Sequence, residues 1–312
     1  MPSAPPRLAV VVLTWEGRED TLRCLEALLP ELGPGDAAIV CDNGSKDGTV
    51  DALRSAHPWA EVIENGSNLG FAGGNNTGMR RALERGFRWV MLLNNDAVVQ
   101  AGALRTLLAF AESRPAGGAF QPLLLSAADP SRVDTLGIRV LRSPGARDEA
   151  MGAPASAAPA EAREVFGACA AAALYRADAL RAAGLLDGEF FLLLEDVDLA
   201  FRLRAAGYEA WLVPGARVLH RRGVSGGVRD PVASRRRLRF LHRNLVALAL
   251  RWWPAGPLLL AAPRLAALAL RAVASAPPPP APPCLPLWRK SLAARSASRR
   301  AARTRGVDRW LS

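Results

Sequence analysis

Strand-like and helix-like patterns alternate near the amino terminus, where residues 8–42 read LAVVVLTWEGREDTLRCLEALLPELGPGDAAIVCD. The run at 8–13 is continuous, apolar and valine-rich, which is typical of a strand buried on both faces. Leucines then follow at helical spacing until Pro30, and a second apolar run begins at residue 37. This order predicts two parallel strands joined by a helix in a right-handed crossover.

The same alternation continues along the chain, with further strands expected at 61–64 and 89–93. We predict an α/β fold whose central sheet is mostly parallel and flanked by helices. A glycine-rich turn is expected at 70–76 and a mobile loop at 143–160. Residues 114–165 are less regular, with a possible strand at 120–125. Regular pattern returns at 166–175, and we expect helices over 178–183 and 196–206 and short strands at 210–213 and 217–219.

Charge divides the 312 residues into two parts. Lysine and arginine total 40 against 29 acidic residues, for a net charge of +11, but residues 235–312 hold 16 of the basic residues and a single acid, Asp308. This asymmetry indicates a basic appendage on a slightly acidic body. We therefore predict a globular domain at 1–228, an amphipathic helical region at 229–275, and a flexible proline-rich, basic tail at 276–312.

The appendage begins with a basic amphipathic helix. Apolar residues recur at spacings of three and four from Leu238 to Trp252, and arginines such as Arg239 and Arg243 lie off that stripe. No run approaches the ~18 apolar residues of a spanning helix. We expect the helix to bind a membrane surface; packing against the body and nucleic-acid binding are the alternatives. No signal peptide is recognisable, so we expect a peripheral protein on the cytoplasmic face of the membrane.

Polar clusters follow the predicted strands at residues 14–16, 41–47 and 94–96. In a parallel sheet, ligands bind beyond the carboxyl ends of the strands, so three clusters at one edge suggest a site, although each alone could be a turn. Asp96 and Asn94 offer the oxygen ligands that Mg²⁺ or Mn²⁺ prefers. His220 ends a later strand and could complete such a metal site.

Three acids stand at a predicted helix start, Glu195, Asp196 and Asp198. Acids are common there because they interact favourably with the helix dipole. The residues before them, 190–194, are however entirely apolar. A carboxyl group bordering apolar side chains has a raised pKa, which suits a general base.

These motifs, taken in order, resemble the inverting glycosyltransferases of family 2, and most closely the bacterial rhamnosyltransferase-type members. The resemblance covers about residues 7–225. It rests on Val11-Val12-Leu13-Thr14, Cys41-Asp42-Asn43-Gly44-Ser45-Lys46-Asp47-Gly48-Thr49, Asn68-Leu69-Gly70-Phe71-Ala72-Gly73-Gly74-Asn75-Asn76, Leu92-Leu93-Asn94-Asn95-Asp96, Glu195-Asp196-Val197-Asp198 and His220.

The resemblance implies a GT-A fold, a nucleotide-diphosphate sugar donor and a divalent cation, Mg²⁺ or Mn²⁺. Asp196, with Glu195 beside it, occupies the position of the catalytic base. The metal residues would be Asp96, Asn94 and His220, although Asn94 replaces the first carboxylate of the family's usual Asp-x-Asp. The residues expected to bind the nucleotide sugar are Thr14, Glu16, Asp42, Asn43, Ser45, Asn68, Gly70, Asn75 and Asn95.

We therefore predict an inverting transfer of a sugar, with rhamnose a candidate, to a glycan or lipid-linked acceptor in cell-envelope polysaccharide synthesis. The alternatives are a sugar-phosphate nucleotidyltransferase and a non-catalytic carbohydrate-binding or assembly protein. The first usually has a glycine-rich, basic loop after its first strand, and residues 14–18 contain one glycine. The second would have lost its base or metal residue, and both Asp96 and Asp196 are present.

Overall fold

A ten-stranded mixed sheet forms the centre of the protein. The computed structural model describes residues 6–222, 231–274 and 283–311, without the side chains of 231–234. The strands are β1 (Leu8–Thr14), β2 (Ala37–Asp42), β3 (Glu61–Glu64), β4 (Trp89–Asn94), β5 (Ala97–Val99), β6 (Gly117–Ser126), β7 (Val133–Thr135), β8 (Ile138–Val140), β9 (Ala146–Asp148), β10 (Arg163–Val165), β11 (Ala172–Arg176) and β12 (Glu209–His220).

The sheet order is β10-β12-β6-β11-β4-β1-β2-β3; β5 and β7 pair with β12 and β6, while β8 and β9 form a separate hairpin. Strands β3, β2, β1 and β4 are parallel, and β11 is antiparallel to both β4 and β6. Successive β1 residues enter different cores, with Val10 on one face and Val11 on the other. Burial on both faces explains the uninterrupted apolar run and confirms the predicted α/β class.

Helices cover both faces of the sheet. They are α1 (Arg18–Leu28), α2 (Thr49–Ala56), α3 (Gly70–Glu84), α4 (Ala103–Glu112), α5 (Ala177–Ala183), α6 (Glu195–Ala205), α7 (Pro231–Trp252), α8 (Ala255–Leu260), α9 (Ala262–Ala274) and α10 (Cys284–Thr304). Short 3₁₀ turns occupy Leu29–Glu31, Ala155–Ala157, Gly188–Phe190 and Val307–Trp310.

The predicted glycine-rich turn at 70–76 is wrong, because these residues form the first two turns of α3. The glycines serve close packing. A Cβ at Gly74 would lie 2.4 Å from Leu13 Cδ1, and one at Gly78 would lie 2.4 Å from Val11 Cγ1. Glycine is unfavourable in helices, so the pattern suggested a turn, but here it allows the helix backbone to approach β1.

Two further expectations need correction. The loop expected at 143–160 contains β9 and a 3₁₀ turn. The two short strands expected at 210–213 and 217–219 are one strand, β12, with an irregularity between Val213 and Arg217 in its pairing with β6. A local break in the apolar pattern therefore marks a bulge rather than a chain reversal.

The predicted amphipathic helix exists as α7, but it packs against the body. Leu248 and Trp252 are buried, and Trp252 stacks on Phe201 of α6 with ring centroids 4.9 Å apart. Arg239 and Arg243, which we expected on an exposed basic face, are also buried. The carboxyl-terminal half of α7 therefore packs against the body, which was the alternative to membrane binding.

The flexible tail expected at 276–312 is also wrong where the structure describes it. Helix α10 packs on α7 and α6. Arg299 Nη1 and Nη2 each donate to one oxygen of Asp308 at 2.8 Å, which closes the end of the chain onto the helix. Residues 275–282 and the predicted domain boundary at 228 lie outside the described residues. Among the helices that are described, none is both long and apolar enough to cross a membrane.

Candidate active site

The sheet register brings the ends of three parallel strands together. Thr14 at the end of β1 pairs with Asp42 at the end of β2, and Leu13 pairs with Asn94 at the end of β4. The segments after these strands therefore emerge at one edge of the sheet. This edge is where ligands bind in open α/β folds, as the sequence predicted.

Asp42 is a buried carboxylate with one free oxygen. Its Oδ2 accepts hydrogen bonds from the backbone N–H groups of Gly44 and Ser45, both at 2.9 Å, while Oδ1 is buried without a partner. An unpaired buried acceptor is costly unless a ligand supplies a donor. The arrangement suits recognition of an N–H or hydroxyl group.

The segments after β1 and β2 are joined by two hydrogen bonds. The backbone N–H of Glu16 donates to Ser45 Oγ at 2.9 Å, and Glu16 Oε1 accepts from the backbone N–H of Lys46 at 3.0 Å. Glu16 also has a left-handed backbone, with φ 49°. These contacts give Glu16 and Ser45 a role in shaping one wall of the edge around Asp42.

Several residues expected at the nucleotide site are used inside the fold. Asn43 Nδ2 donates to the carbonyl of Gly70 at 3.1 Å, and Asn75 Nδ2 donates to the carbonyl of Phe71 at 3.0 Å. Asn68 Oδ1 accepts from the backbone N–H of Gly70 at 2.9 Å. These side chains fix the start of α3 beside the edge.

Thr14 and Asn95 are likewise turned inward. Thr14 Oγ1 lies 2.8 Å from Thr21 Oγ1, and Asn95 Nδ2 donates to the same hydroxyl at 3.1 Å. All three residues are buried. Their contacts hold the start of α1 against β1 and β4.

Asp96 and His220 face each other in a buried pair. Strands β12 and β5 are antiparallel, with His220 opposite Ala97, which brings His220 Nε2 to 3.2 Å from Asp96 Oδ1. Asn94 Nδ2 lies 3.2 Å from the same ring nitrogen. The structure thus assembles the three residues that the sequence singled out as metal ligands.

Asp134 on β7 completes this cluster and was not foreseen. Its Oδ2 lies 2.9 Å from His220 Nδ1, and its Oδ1 accepts from Arg222 Nε. Burial lowers the pKa of His220, but hydrogen bonds and charges from Asp134 and Asp96 outweigh this and raise it to about 9. Asp134 therefore orients the ring so that Nε2 faces Asp96, as partners of metal-binding histidines do.

A divalent cation fits this donor set. No group of three or more histidine, cysteine or acidic side chains is arranged to hold a metal within the described ranges. Asp96 Oδ1 and His220 Nε2 nevertheless form a two-ligand set, and Mg²⁺ or Mn²⁺ commonly takes one or two protein ligands and completes its shell with phosphate and water. A cation would bind Nε2 of His220 in place of its proton, beside the carboxylate of Asp96.

Glu195 and Asp196 begin α6 after a strained approach. Phe191, Leu193 and Leu194 all have left-handed backbones, with φ between 63° and 72°. For residues with large side chains such conformations cost about 1–3 kcal/mol each and cluster at functional sites. Asp196 is partly exposed, whereas Glu195 is buried.

The two carboxyl groups differ in their hydrogen bonds. Asp196 accepts from the backbone N–H groups of Ala170 at 3.2 Å and Val197 at 2.8 Å, while Glu195 Oε2 is buried without a partner. Burial and the charge of Asp148 raise the pKa of Asp196 to about 6, against the effect of its hydrogen bonds. Burial and the charge of Asp196 raise the pKa of Glu195 to about 8.

Asp196 lies at the same edge as the Asp96 cluster. It bonds to Ala170, and the adjacent Ala171 accepts from the backbone N–H of Asn94 at 2.8 Å. Asp198, by contrast, is fully buried and contacts Arg202, Arg251 and Trp252, as a structural residue would. Asp196 and Asn94 are therefore linked through two consecutive residues, Ala170 and Ala171, which places Asp196 near the end of β4.

Proteins of known function resemble this chain in sequence. N-acetylglucosaminyl-diphospho-decaprenol L-rhamnosyltransferase of Mycobacterium tuberculosis is 29% identical over 248 residues, covering 72% of this chain and 79% of the relative. Galactofuranosyltransferase GlfT1 of the same organism is 32% identical over 217 residues, covering 67% of this chain and 68% of the relative.

Solved structures share the fold. GalNAc-T7 with UDP, GalNAc and Mn²⁺ superposes with a TM-score of 0.63 at 14% identity, covering 81% of this chain and 49% of that one. The mannosyltransferase PcManGT from Pyrobaculum calidifontis, with GDP-Man and Mn²⁺, gives 0.55 at 21% identity, covering 99% and 81%. These likenesses support the GT-A fold that the motifs implied.

The family description "Glycosyl transferase family 2" matches residues 9–184, which is more than half of the chain. The match spans the strands that carry Asp42 and Asp96 and ends before α6. The chain belongs to glycosyltransferase family 2.

Proposed function

We propose that this glycosyltransferase inverts the anomeric centre of a sugar as it moves it from a nucleotide-diphosphate donor to a glycan or lipid-linked acceptor. The observation that supports this most is the shared sheet edge of Asp96, His220 and a partly exposed Asp196. A single displacement requires stabilisation of the leaving group and removal of a proton from the acceptor. Asp96 and His220 serve the first requirement and Asp196 serves the second.

Asp42 binds the nucleoside through its free Oδ1, which accepts a hydrogen bond from the base or the ribose. Glu16 and Ser45 stabilise the surrounding segments. Asn68 and Gly70 lie at the start of α3, where the chain approaches the donor. Asp96 and His220 would hold a divalent cation, which would supply positive charge to stabilise the departing diphosphate.

Asp196 removes the proton from the acceptor hydroxyl. The hydroxyl oxygen bonds to the anomeric carbon while the bond from that carbon to the diphosphate oxygen breaks, so one inversion results. Asp196 suits the role because it is partly exposed and because burial raises its carboxyl pKa towards neutrality. Glu195 is buried beside it, and burial together with the charge of Asp196 raises the pKa of Glu195.

The acceptor is proposed to be lipid-linked, in cell-envelope polysaccharide synthesis. The relative from M. tuberculosis is named as acting on a diphospho-decaprenol compound, and the second relative is named a galactofuranosyltransferase. Rhamnose is the first donor sugar to test because the first relative transfers it.

The enzyme would meet such an acceptor at a membrane surface, on the cytoplasmic face. Large exposed apolar side chains are concentrated on the carboxyl-terminal helices, and we call four of them the α8–α9 apolar patch: Leu259, Leu260, Leu270 and Val273. No acidic residue occurs between 231 and 307. Exposed apolar side chains surrounded by basic residues favour binding to a membrane of anionic lipids.

The direct test measures nucleoside diphosphate release from a panel of nucleotide sugars, dTDP-rhamnose included, with and without Mn²⁺. We expect Asp196→Asn to lower kcat by about 10²–10⁴-fold and Asp96→Ala to remove the response to Mn²⁺. Asp178→Asn changes an exposed acid of α5 and serves as the control. Wild-type rates in both folded site variants would refute the assigned roles.

A further inference from the structure

The loop at 190–194 joins a 3₁₀ turn to α6 and sets the direction in which that helix starts. Three of its residues, Phe191, Leu193 and Leu194, have left-handed backbones. Residues with large side chains rarely hold such a conformation without outside contacts. The loop therefore depends on its neighbours for its shape.

Helix α7 supplies those contacts through Asn244. Its Nδ2 donates to three carbonyl oxygens of the loop, those of Phe190 at 3.0 Å, Leu192 at 2.9 Å and Leu193 at 2.7 Å. Asn244 is fully buried. The two hydrogens of this one amide group are thus shared among three carbonyl oxygens of the loop.

Arg243 orients that amide and adds a hydrogen bond to the residue before the loop. Its Nη1 donates to Asn244 Oδ1 at 2.9 Å, which leaves Nδ2 pointing at the loop. Its Nη2 donates to the carbonyl of Glu189 at 2.6 Å, just before the loop. The side chain of Arg243 is 1% exposed, so it acts within the interior rather than on a basic surface.

The loop also touches the glycine-rich start of α3. The carbonyl of Phe191 accepts from the backbone N–H of Ala72 at 3.2 Å, and Phe191 stacks on Phe240 of α7 with ring centroids 5.1 Å apart. A Cβ at Gly70 would lie 2.5 Å from Phe191. The loop is therefore held between the start of α3 and helix α7.

We propose that Asn244 is a positioning residue that fixes the 190–194 loop and so aims Asp196 at the acceptor hydroxyl. The inference rests on the proposed function of Asp196. It extends that function to α7, which lies beyond the 9–184 family match. The carboxyl-terminal helices are then part of the catalytic unit and not only an appendage.

The test compares Asn244→Asp with Arg239→Met in the full-length protein. Asn244→Asp keeps the shape but places a carboxylate oxygen against three carbonyls. Arg239 is buried on the same helix and donates to the carbonyl of Ala272 on α9 at 3.0 Å, away from the loop. It controls for loosening of α7 itself.

We expect Asn244→Asp to lower kcat about 100-fold with little change in donor KM, because a base displaced by ~1 Å loses alignment. Hydrogen exchange should accelerate at the amides of residues 191–196 and remain unchanged in β1 and β4. Arg239→Met should lower the melting temperature but keep kcat. If Asn244→Asp does not fold, Asn244→Ser is measured in the same way, since its single hydroxyl serves one carbonyl only.

An unchanged kcat in the folded Asn244 variant, or an equal loss in Arg239→Met, would overturn the positioning role. So would unchanged exchange at 191–196. Hydrogen exchange reports on the loop whether or not a donor is consumed. A wild-type enzyme that releases no nucleoside diphosphate from any donor would instead count against the proposed function.

Discussion

Adjacent carboxyl groups at 195 and 196 show how a residue's surroundings select its chemistry. Both are drawn into the protein at the start of α6, and burial raises the pKa of each. Asp196 keeps two backbone donors that favour its charged form, whereas Glu195 Oε2 has none. These two donors favour the charged form of Asp196, which supports the proposal that Asp196, and not Glu195, is the base.

The pH dependence of the reaction follows from that assignment. Because a base works only when deprotonated, kcat/KM should rise with pH through an acidic limb centred near 6, the pKa of Asp196. Glu195→Gln should retain this limb, since glutamine resembles the protonated form that burial favours at Glu195. Initial rates from pH 4.5 to 8.5 check it; loss of the limb in Glu195→Gln would assign the titrating group to Glu195 instead.

Residues that follow strands were the ones the sequence could identify. Asp42, Asp96 and His220 each end a short apolar run, so their place at the sheet edge follows from local pattern. Asp134 and Asn244 had no such signal. Their partners are 86 and about 50 positions away in the chain, and contacts over that separation depend on the whole fold.

At the scale of single elements, α3 shows a sequence preference overridden by packing. Four glycines lie within its first nine residues, which weakens the helix by up to about 1 kcal/mol for each glycine relative to alanine. The helix forms because it can then lie close to β1 and β2. A Cβ at Gly78 would meet Val11 at 2.4 Å and Cys41 Sγ at 2.9 Å.

Gly78→Ala should therefore destabilise the protein despite the better helix propensity of alanine. Overpacking costs about 1–3 kcal/mol, which exceeds the roughly 1 kcal/mol gained from propensity. Gly256→Ala in α8 is the matched control, because a Cβ there meets nothing within 4 Å, and it should be neutral or slightly stabilising. Urea unfolding measures both; a more stable Gly78→Ala would show that α3 does not press on β1.

The spacing of apolar residues predicted helix α7 but not the burial of the polar residues beside its apolar stripe. Its apolar stripe is present, yet Arg243 and Asn244 on the flank are buried because they satisfy carbonyl groups of the 190–194 loop. A charged residue on an amphipathic helix usually faces water, so composition favoured an exposed basic face. The carbonyls that need donors belong to a strained loop, which no pattern of the sequence reveals.

Over the whole molecule, the basic carboxyl-terminal region is also the region where most large apolar side chains are exposed. Of the large apolar side chains that are exposed in the described residues, most lie on helices α7 to α10, as at Leu238, Leu260 and Leu292. The sequence correctly located a basic, leucine-rich region there. It placed the exposed leucines on the α7 stripe, whereas the structure exposes them chiefly on α8 to α10.

The α8–α9 apolar patch makes the proposed membrane contact testable. Leu259 and Leu260 are 73% and 87% exposed, and Arg264 nearby is also exposed. We expect the full-length protein to float with phosphatidylglycerol vesicles and not with phosphatidylcholine vesicles, because anionic headgroups attract the basic helices. The double variant Leu259→Glu with Leu260→Glu should lose flotation, since it removes the apolar side chains that would insert into the lipid and adds two negative charges.

Leu29→Glu gives the matched control, because Leu29 is an exposed leucine of the body, 48% accessible and distant in sequence from these helices. It should float like the wild type. Both Leu29→Glu and the double variant should keep the wild-type rate on a water-soluble acceptor. Salt at 0.5 M should weaken flotation without abolishing it, since screening removes the charge attraction but not the apolar contact. Flotation of the double variant at the wild-type level would place the membrane contact elsewhere on the protein.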